Sequence, residues 1–157
     1  MRKRILHPVQ NTAAPDDLNW LDIDSLADVE VTSEDPAHPI ESALLPNRIS
    51  GWRAGGPGQQ TIRLLFASPQ QLRRIRVSFV ESALERTQEY VLRWSHDGGK
   101  TFRDIVRQQW NFSPQGATSE IEDHHVELPH VTILELCILP DIGRDRATAS
   151  LEQMRVA

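Results

Sequence analysis

A single cysteine, Cys137, stands in this chain of 157 residues, so no internal disulfide can staple it. Between Leu136 and Ile138 it reads as a small buried hydrophobe, and a reducing compartment is the expected setting. No run of apolar residues is long enough to cross a bilayer. The opening Met1-Arg2-Lys3-Arg4 is basic like a signal peptide, but Pro8, Gln10 and Asn11 arrive where its hydrophobic stretch should begin. Cytoplasmic residence is therefore expected.

Catalytic landmarks are missing as well. There is no Gly-x-Ser-x-Gly elbow, and Gly55-Gly56-Pro57-Gly58 lacks the Lys and helix that follow a phosphate-binding loop. The six histidines show no ligand spacing, and the adjacent His124 and His125 would point to opposite faces of a strand, so zinc is not expected. Carboxylate pairs such as Glu81 with Glu89 can be drawn from the 22 acidic residues, but solvated surface charge accounts for them. The chain does not read as an enzyme.

Positive charge is in deficit: 17 Lys and Arg against 22 Asp and Glu leave a net charge of -5. A field of that sign repels polyanions, and the densest basic cluster, Arg73, Arg74 and Arg76, falls in an alternating pattern that reads as a solvated sheet face. Nucleic acid is not an expected partner.

What is present suits one globular domain. Hydrophobic residues make up 39% and charged residues 25%, with 4 Trp and 10 Pro along the chain, enough for one core and too short for two. Residues 1–26 read as an N-terminal arm: Met1 to Asp17 is polar with Pro8 and Pro15, and Asn19 to Leu26 leaves a short capped turn of helix open.

From Ala27 the dominant signal is period-two alternation, the pattern of a half-buried strand. Val29 and Val31 alternate with Asp28, Glu30 and Thr32. Ile62, Leu64 and Phe66 share a face of Gln59 to Phe66, and Ile75, Val77 and Phe79 share one of the next run. Tyr90, Leu92 and Trp94 oppose Val91, Arg93 and Ser95, and His96-Asp97-Gly98-Gly99-Lys100 then supplies the positive φ of a tight hairpin. Ser82 to Gln88 reads as a loop joining two strands, Trp110 to Ser119 as a loop rich in Ser, Pro and Gly. Further strands are expected at Ile121 to Leu128, Val131 to Leu139 and Ser150 to Val156. The fold class is all-β, a sandwich over residues 27–157.

The order of segments resembles the discoidin or coagulation-factor C-type domain family, within the galactose-binding domain-like superfamily of jelly rolls. The residues that carry it are Val29-Glu30-Val31-Thr32-Ser33, the Trp-bearing Ser50-Gly51-Trp52-Arg53-Ala54, Gln59 to Phe66, Leu72 to Phe79, Glu89 to Gly99, Val131 to Pro140 and Ala149-Ser150-Leu151-Glu152. The resemblance implies about eight antiparallel strands and a non-catalytic module that binds sugars, phospholipid heads or proteins through loops at one end. Those loops would be Glu34 to Glu41, Ala54 to Gly58, Glu81 to Thr87 and Trp110 to Ser119. Two features depart from the family: no disulfide joins the ends, and the N-terminal arm has no counterpart.

Sugar recognition needs an aromatic face and forked or planar polar groups for adjacent hydroxyls. The candidate loops hold Trp110, Arg86, Asn111, Trp52, Arg53 and His38. Trp52 reads either as a stacking ring or as a core residue sealing the sandwich. Arg86 either forks onto two hydroxyls or pairs with Glu81, Glu85 or Glu89. Relatives of the family imply a structural calcium at Asn47, Ser50 and Glu152, although calcium prefers several carboxylates and this set has one. No other cofactor is expected. The expected partner is a carbohydrate, with Trp110 as platform and Arg86 and Asn111 as hydroxyl partners. The alternative is a cytoplasmic protein–protein interaction or assembly domain.

Overall fold

The computed structural model describes residues 20–48, 50–144 and 146–157. Most of the expected N-terminal arm, 1–19, lies outside the described residues. Its remainder runs into a short helix α1 (Ile23–Leu26) and strand β1 (Ala27–Val31), followed by α2 (Glu41–Leu44), β2 (Trp52–Pro57), β3 (Gln60–Val80), β4 (Arg86–Ser95), β5 (Arg103–Phe112), β6 (Ser119–Leu139), β7 (Thr148–Leu151) and β8 (Gln153–Val156). All described strand pairs are antiparallel.

Alternation in the sequence becomes alternation in burial. Ile62, Leu64, Val77, Phe79, Leu92, Leu134, Leu136 and Ile138 are each at most 1% exposed, while the residues between them face outward. Their common burial is what fixes the register, since a slip of one residue would put the whole apolar set in water.

The architecture depends on two strands that serve both layers. β3 and β6 each run for 21 residues. The first half of β3 pairs with β1 and with the second half of β6, which in turn pairs with β4, and β4 with β5. The second half of β3 pairs with β8 and the first half of β6. The two halves face each other across the core, where the Phe79 and Tyr90 rings lie 5.2 Å apart. β2 and β7 form a separate small sheet.

The strand boundaries differ from the sequence expectation in several places. Gln59 to Phe66 and Leu72 to Phe79 are one strand, as are Ile121 to Leu128 and Val131 to Leu139. Pro69 and Pro129 mimic turn signals, but the backbone stays extended there while the ladder shifts register between Leu65 and Arg74, so the strands bend instead of ending. The reverse holds at the C-terminus. Ser150 to Val156 divides at Glu152, whose amide donates to the Ser78 carbonyl at 2.9 Å, into β7 on β2 and β8 on β3.

The β4–β5 hairpin turns where expected, with Gly98 and Gly99 at φ 73° and 96°. It is wider than a two-residue turn, because Asp97 accepts from the Thr101 amide and hydroxyl and from Ser95. Those bonds hold the Asp97 carboxyl well below its ordinary range.

Of the basic cluster, Arg73 is exposed, while Arg74 and Arg76 are partly covered. Arg74 and Arg76 both bond Asp123, at 2.8 and 2.9 Å, and sit over the Trp20 ring. The Arg74 hydrogen bond outweighs burial and, with Arg76, holds Asp123 at about 2. The Leu21 amide donates to the Val156 carbonyl, so the chain ahead of β1 is stitched to β8. Among the described residues no helix is long and apolar enough to cross a membrane.

Candidate functional site: two clefts at one rim

The connection Glu81–Glu85, between β3 and β4, divides one end of the sandwich into two clefts. The larger, about 620 Å³, lies between the start of β4, the end of β5 and the turn that follows β6, with Arg86, Thr87, Asn111, Asp141 and Arg144 on its walls. The smaller, about 270 Å³, holds His38, Ser50, Trp52, Arg53 and Glu152 against Val80 to Ala83.

The larger cleft is built on Arg86. β4 begins at this residue, not after it as the loop expectation had it, and its side chain is only 1% exposed. Nε donates to Glu81 Oε1 at 2.8 Å, and Nη1 donates to Gln88 Oε1 at 3.1 Å and to the Pro140 carbonyl at 2.7 Å. The guanidinium lies 4.9 Å from the Phe112 ring centroid. Burial alone would raise the Glu81 carboxyl. The Arg86 bond and charge, with the Ala83 and Leu84 amides, outweigh it and hold Glu81 below its ordinary value. Of the two readings of Arg86, the geometry is that of the ion pair, and the guanidinium is a floor for the cleft.

Above that floor the donors and acceptors are preset. The Thr87 hydroxyl donates to Asn111 Oδ1 at 2.7 Å, which leaves the Asn111 amide nitrogen for a ligand. The Thr87 amide donates to Asp141 Oδ1 at 3.2 Å and its carbonyl accepts from the Ile142 amide at 2.8 Å. Arg144 and Asn111 are exposed. The array offers two donors and two carboxylates, Asp141 and Glu85, around polar walls.

Trp110 falls outside this array. It opens no loop: β5 continues to Phe112, and Trp110 sits opposite Gln88, on the inward side shared by Phe112 and Arg86. It is half-buried against the core, and its indole nitrogen is enclosed without a partner. Asn111, one residue on, points the other way and reaches the cleft. Trp52 is 1% exposed and its indole N–H donates to the Ser33 carbonyl at 3.1 Å, so it closes the core beneath the smaller cleft with no ring face for stacking.

His38 and Arg53 do meet. The Arg53 amide donates to the His38 carbonyl, and Asp35 bridges both by backbone bonds. His38 Nδ1 lies 3.2 Å from the Ser50 carbonyl. Gly51 has φ 66°, and an added Cβ would come 2.9 Å from the Leu151 carbonyl, so only glycine lets β2 approach β7 this closely.

Calcium fits poorly among the described residues. Ser50 and Glu152 share the smaller cleft, and Asn47 takes a left-handed φ of 66° in the preceding loop. The set offers one carboxylate, the Ser50 carbonyl is within hydrogen-bonding reach of His38, and no group of three or more His, Cys, Asp or Glu is placed to hold an ion.

The sequence reading missed Thr87, Asp141 and Arg144. Pro140-Asp141-Ile142-Gly143-Arg144 carried the signal, a turn following a strand that ends on proline, but nothing local says which rim it decorates.

No protein-family model and no curated protein sequence matches the chain. Solved structures do. A family 32 carbohydrate-binding module of Clostridium perfringens NanJ, solved with galactose, aligns with TM-score 0.66 at 12% identity over 87% of this chain and 96% of that one. A second C. perfringens module of this family, solved with GalNAc-β-1,3-galactose, gives TM-score 0.61 at 18% identity over 88% and 99%. The family 32 module of AlyQ, solved with 4,5-unsaturated mannuronic acid, gives 0.60 at 13% over 85% and 95%. At such identities the likeness establishes architecture: this chain has the discoidin-like, galactose-binding-like β-sandwich fold.

Proposed function

We propose that the chain is a non-catalytic module that recognises a carbohydrate at this rim, with the larger cleft as its principal site. The observation that carries the reading is the fixed pair of Asn111 and Thr87 beside Asp141 and Arg144, standing on an Arg86 that burial and three acceptors immobilise. Planar amide, guanidinium and carboxylate groups held at separate points match the adjacent hydroxyls of a sugar. The sugar-bound modules that share the fold support the same ligand class.

No exposed ring lines either cleft among the described residues, so recognition rests on hydrogen bonds and affinity for one sugar unit is weak, on the order of 0.1 to 1 mM. His38 and Arg53 give the smaller cleft a secondary role. A glycan array followed by calorimetry on the hits tests the reading: Asn111→Ala and Arg144→Ala abolish binding with the melting curve unchanged. Unaltered binding in both variants would remove the site from this cleft.

One observation favours a second reading, a protein contact in a cytoplasmic assembly. Val80, Leu84, Ile121 and Ile142 are 45%, 53%, 67% and 37% exposed, and Val80 and Ile142 edge the two clefts. Sedimentation over a range of concentrations separates the readings, since a sugar module stays monomeric and the assembly domain associates without a glycan.

A further inference from the structure

Away from the rim, the outward face of the larger layer is hollow. A groove of about 530 Å³ crosses β3, β6, β4 and β5, with Val91, Cys137 and Leu139 at its apolar floor. At one end of it lies Glu135, which is 2% exposed although it is on the solvent side of β6, between the inward Leu134 and Leu136. Two arginines cover it. Arg63 Nε donates to one carboxylate oxygen at 2.7 Å, and Arg93 Nε and Nη2 donate to the other at 2.9 and 2.6 Å. Both guanidiniums rest against the Phe102 ring, 5.7 and 4.7 Å from its centroid.

Burying a carboxylate this way is costly, and a β-branched apolar residue would serve a sheet face better. What the arrangement achieves is fixation. The Arg63 and Arg93 side chains stay 41% and 36% exposed while their planes are held from below. Arg63 engages Glu135 through Nε alone and Arg93 through Nε and Nη2, so each keeps terminal N–H groups that Glu135 does not use, and both side chains line the groove. Arg107, tied to Glu89 at 2.9 Å, extends the row across β4 and β5.

Charge and shape select the ligand. Three arginines (63, 93, 107) and three carboxylates (Glu89, Asp104, Glu135) line the groove, a formal sum of zero, so a polyanion gains nothing by long-range attraction. Unbonded N–H groups beside carboxylate lone pairs suit a neutral polyhydroxylated chain. From β3 to β5 the groove spans three strand intervals, about 14 Å, more than one sugar unit occupies. We propose that this groove is a second glycan site, one that takes a neutral linear oligosaccharide laid across the strands. The proposal borrows only the ligand class from the rim reading and stands on separate residues.

Cys137, the sole cysteine of the chain, is half-buried in the groove floor beside Gln59, whose Nε2 lies 3.0 Å from its sulfur, and it provides the readout. The rate of its alkylation by iodoacetamide is measured on the full chain with neutral linear hexasaccharides of β-glucan, xylan, mannan and galactan type, with galactose, and with tetragalacturonate. A neutral hexasaccharide at ten times its Kd is expected to slow alkylation roughly tenfold, while galactose leaves the rate unchanged. Arg93→Met is expected to weaken that hexasaccharide about tenfold. If Arg93→Met does not fold, the footprint on the unmutated chain decides alone.

Hexasaccharide binding seen by calorimetry without slower alkylation overturns the groove and leaves the rim reading standing. Galactose binding with no hexasaccharide protecting Cys137 does the same. Stronger protection by tetragalacturonate overturns the neutral ligand class. No binding by any of these sugars sinks both readings.

Discussion

The Tyr90 hydroxyl and His124 Nε2 lie 2.8 Å apart across the sandwich, one from each layer. Burial, helped by the negative charges of Glu120 and Glu122, pushes the Tyr90 phenol up, so it keeps its proton and donates. Burial also pulls His124 down against the negative charges of Glu122 and Asp123, so a neutral imidazole accepts. The layers are thus joined by a directed polar bond in addition to the Phe79–Tyr90 ring contact, within a set of ionisable groups that includes Glu120 and Glu122.

Glu120 is the member of that set with a measurable consequence. It is 2% exposed, both its oxygens are buried without a partner, and burial followed by Glu122 raises its carboxyl to about 7. A carboxyl raised on folding binds its proton more tightly in the native state, so its contribution to stability is greatest in acid. It is lost as pH climbs from the ordinary value of 4.5 to about 7. Glu120→Gln should remove this slope and stabilise the protein at pH 8 by about 2 kcal/mol, roughly 4 to 8 °C in Tm. Thermal melts of both proteins from pH 5 to 8 check it, and parallel curves would refute it.

The Arg86–Glu81 pair responds in the opposite sense. Glu81 is depressed, so what it contributes is present above its ordinary value and is lost as pH falls through the lowered one. Arg86→Met strips the partner from Glu81, frees the Pro140 carbonyl and should cost about 3 kcal/mol at pH 7. Denaturant titration at pH 7 and at pH 4 should find the larger loss at pH 7. A variant that binds no sugar yet melts with the parent would return Arg86 to a direct ligand role.

Much of this could be read from sequence, for an identifiable reason. Ile62 and Leu64, Val77 and Phe79, and Tyr90, Leu92 and Trp94 declare their faces because one side of each strand is dry. The run of β3 through Ser68 and Pro69 cannot be read, since residues that usually end a strand here only bend it, and long-range pairing decides. Of the site, Asn111 reached the larger cleft and Arg86 became its floor. The face of Trp110 was legible: it is spaced by two from Gln108 and Phe112, which share its side of β5. Asp141 and Arg144 were not, because the position of a loop after β6 depends on which neighbour β6 takes.

The two tryptophans once eligible as platforms should therefore report on stability. Trp52→Ala empties a fully enclosed site and is expected to cost about 3 to 5 kcal/mol. Trp110→Ala removes a half-buried ring whose N–H has no partner and should cost about 1 to 2 kcal/mol. In both, sugar affinity measured well below the melting transition should match the parent. A loss of affinity in Trp110→Ala without a change in melting would restore the ring to the site.

Thr87 provides the sharpest test of the rim cleft because its side chain need not touch the sugar. Its hydroxyl, donating to Asn111 Oδ1 at 2.7 Å, decides which way the Asn111 amide faces, and so whether the cleft presents a donor or an acceptor. Thr87→Val keeps the shape and the β-branching that suits β4 but removes that bond, so the amide is free to flip. Affinity for the glycan hit should drop about three- to tenfold, the equivalent of one neutral hydrogen bond, while the melting temperature moves little at this surface position. Thr87→Ser restores the hydroxyl and should restore affinity, an outcome that a purely steric role for residue 87 does not produce. Calorimetry on the three proteins with the same glycan decides it, and equal affinities would mean that Asn111 does not contact the ligand.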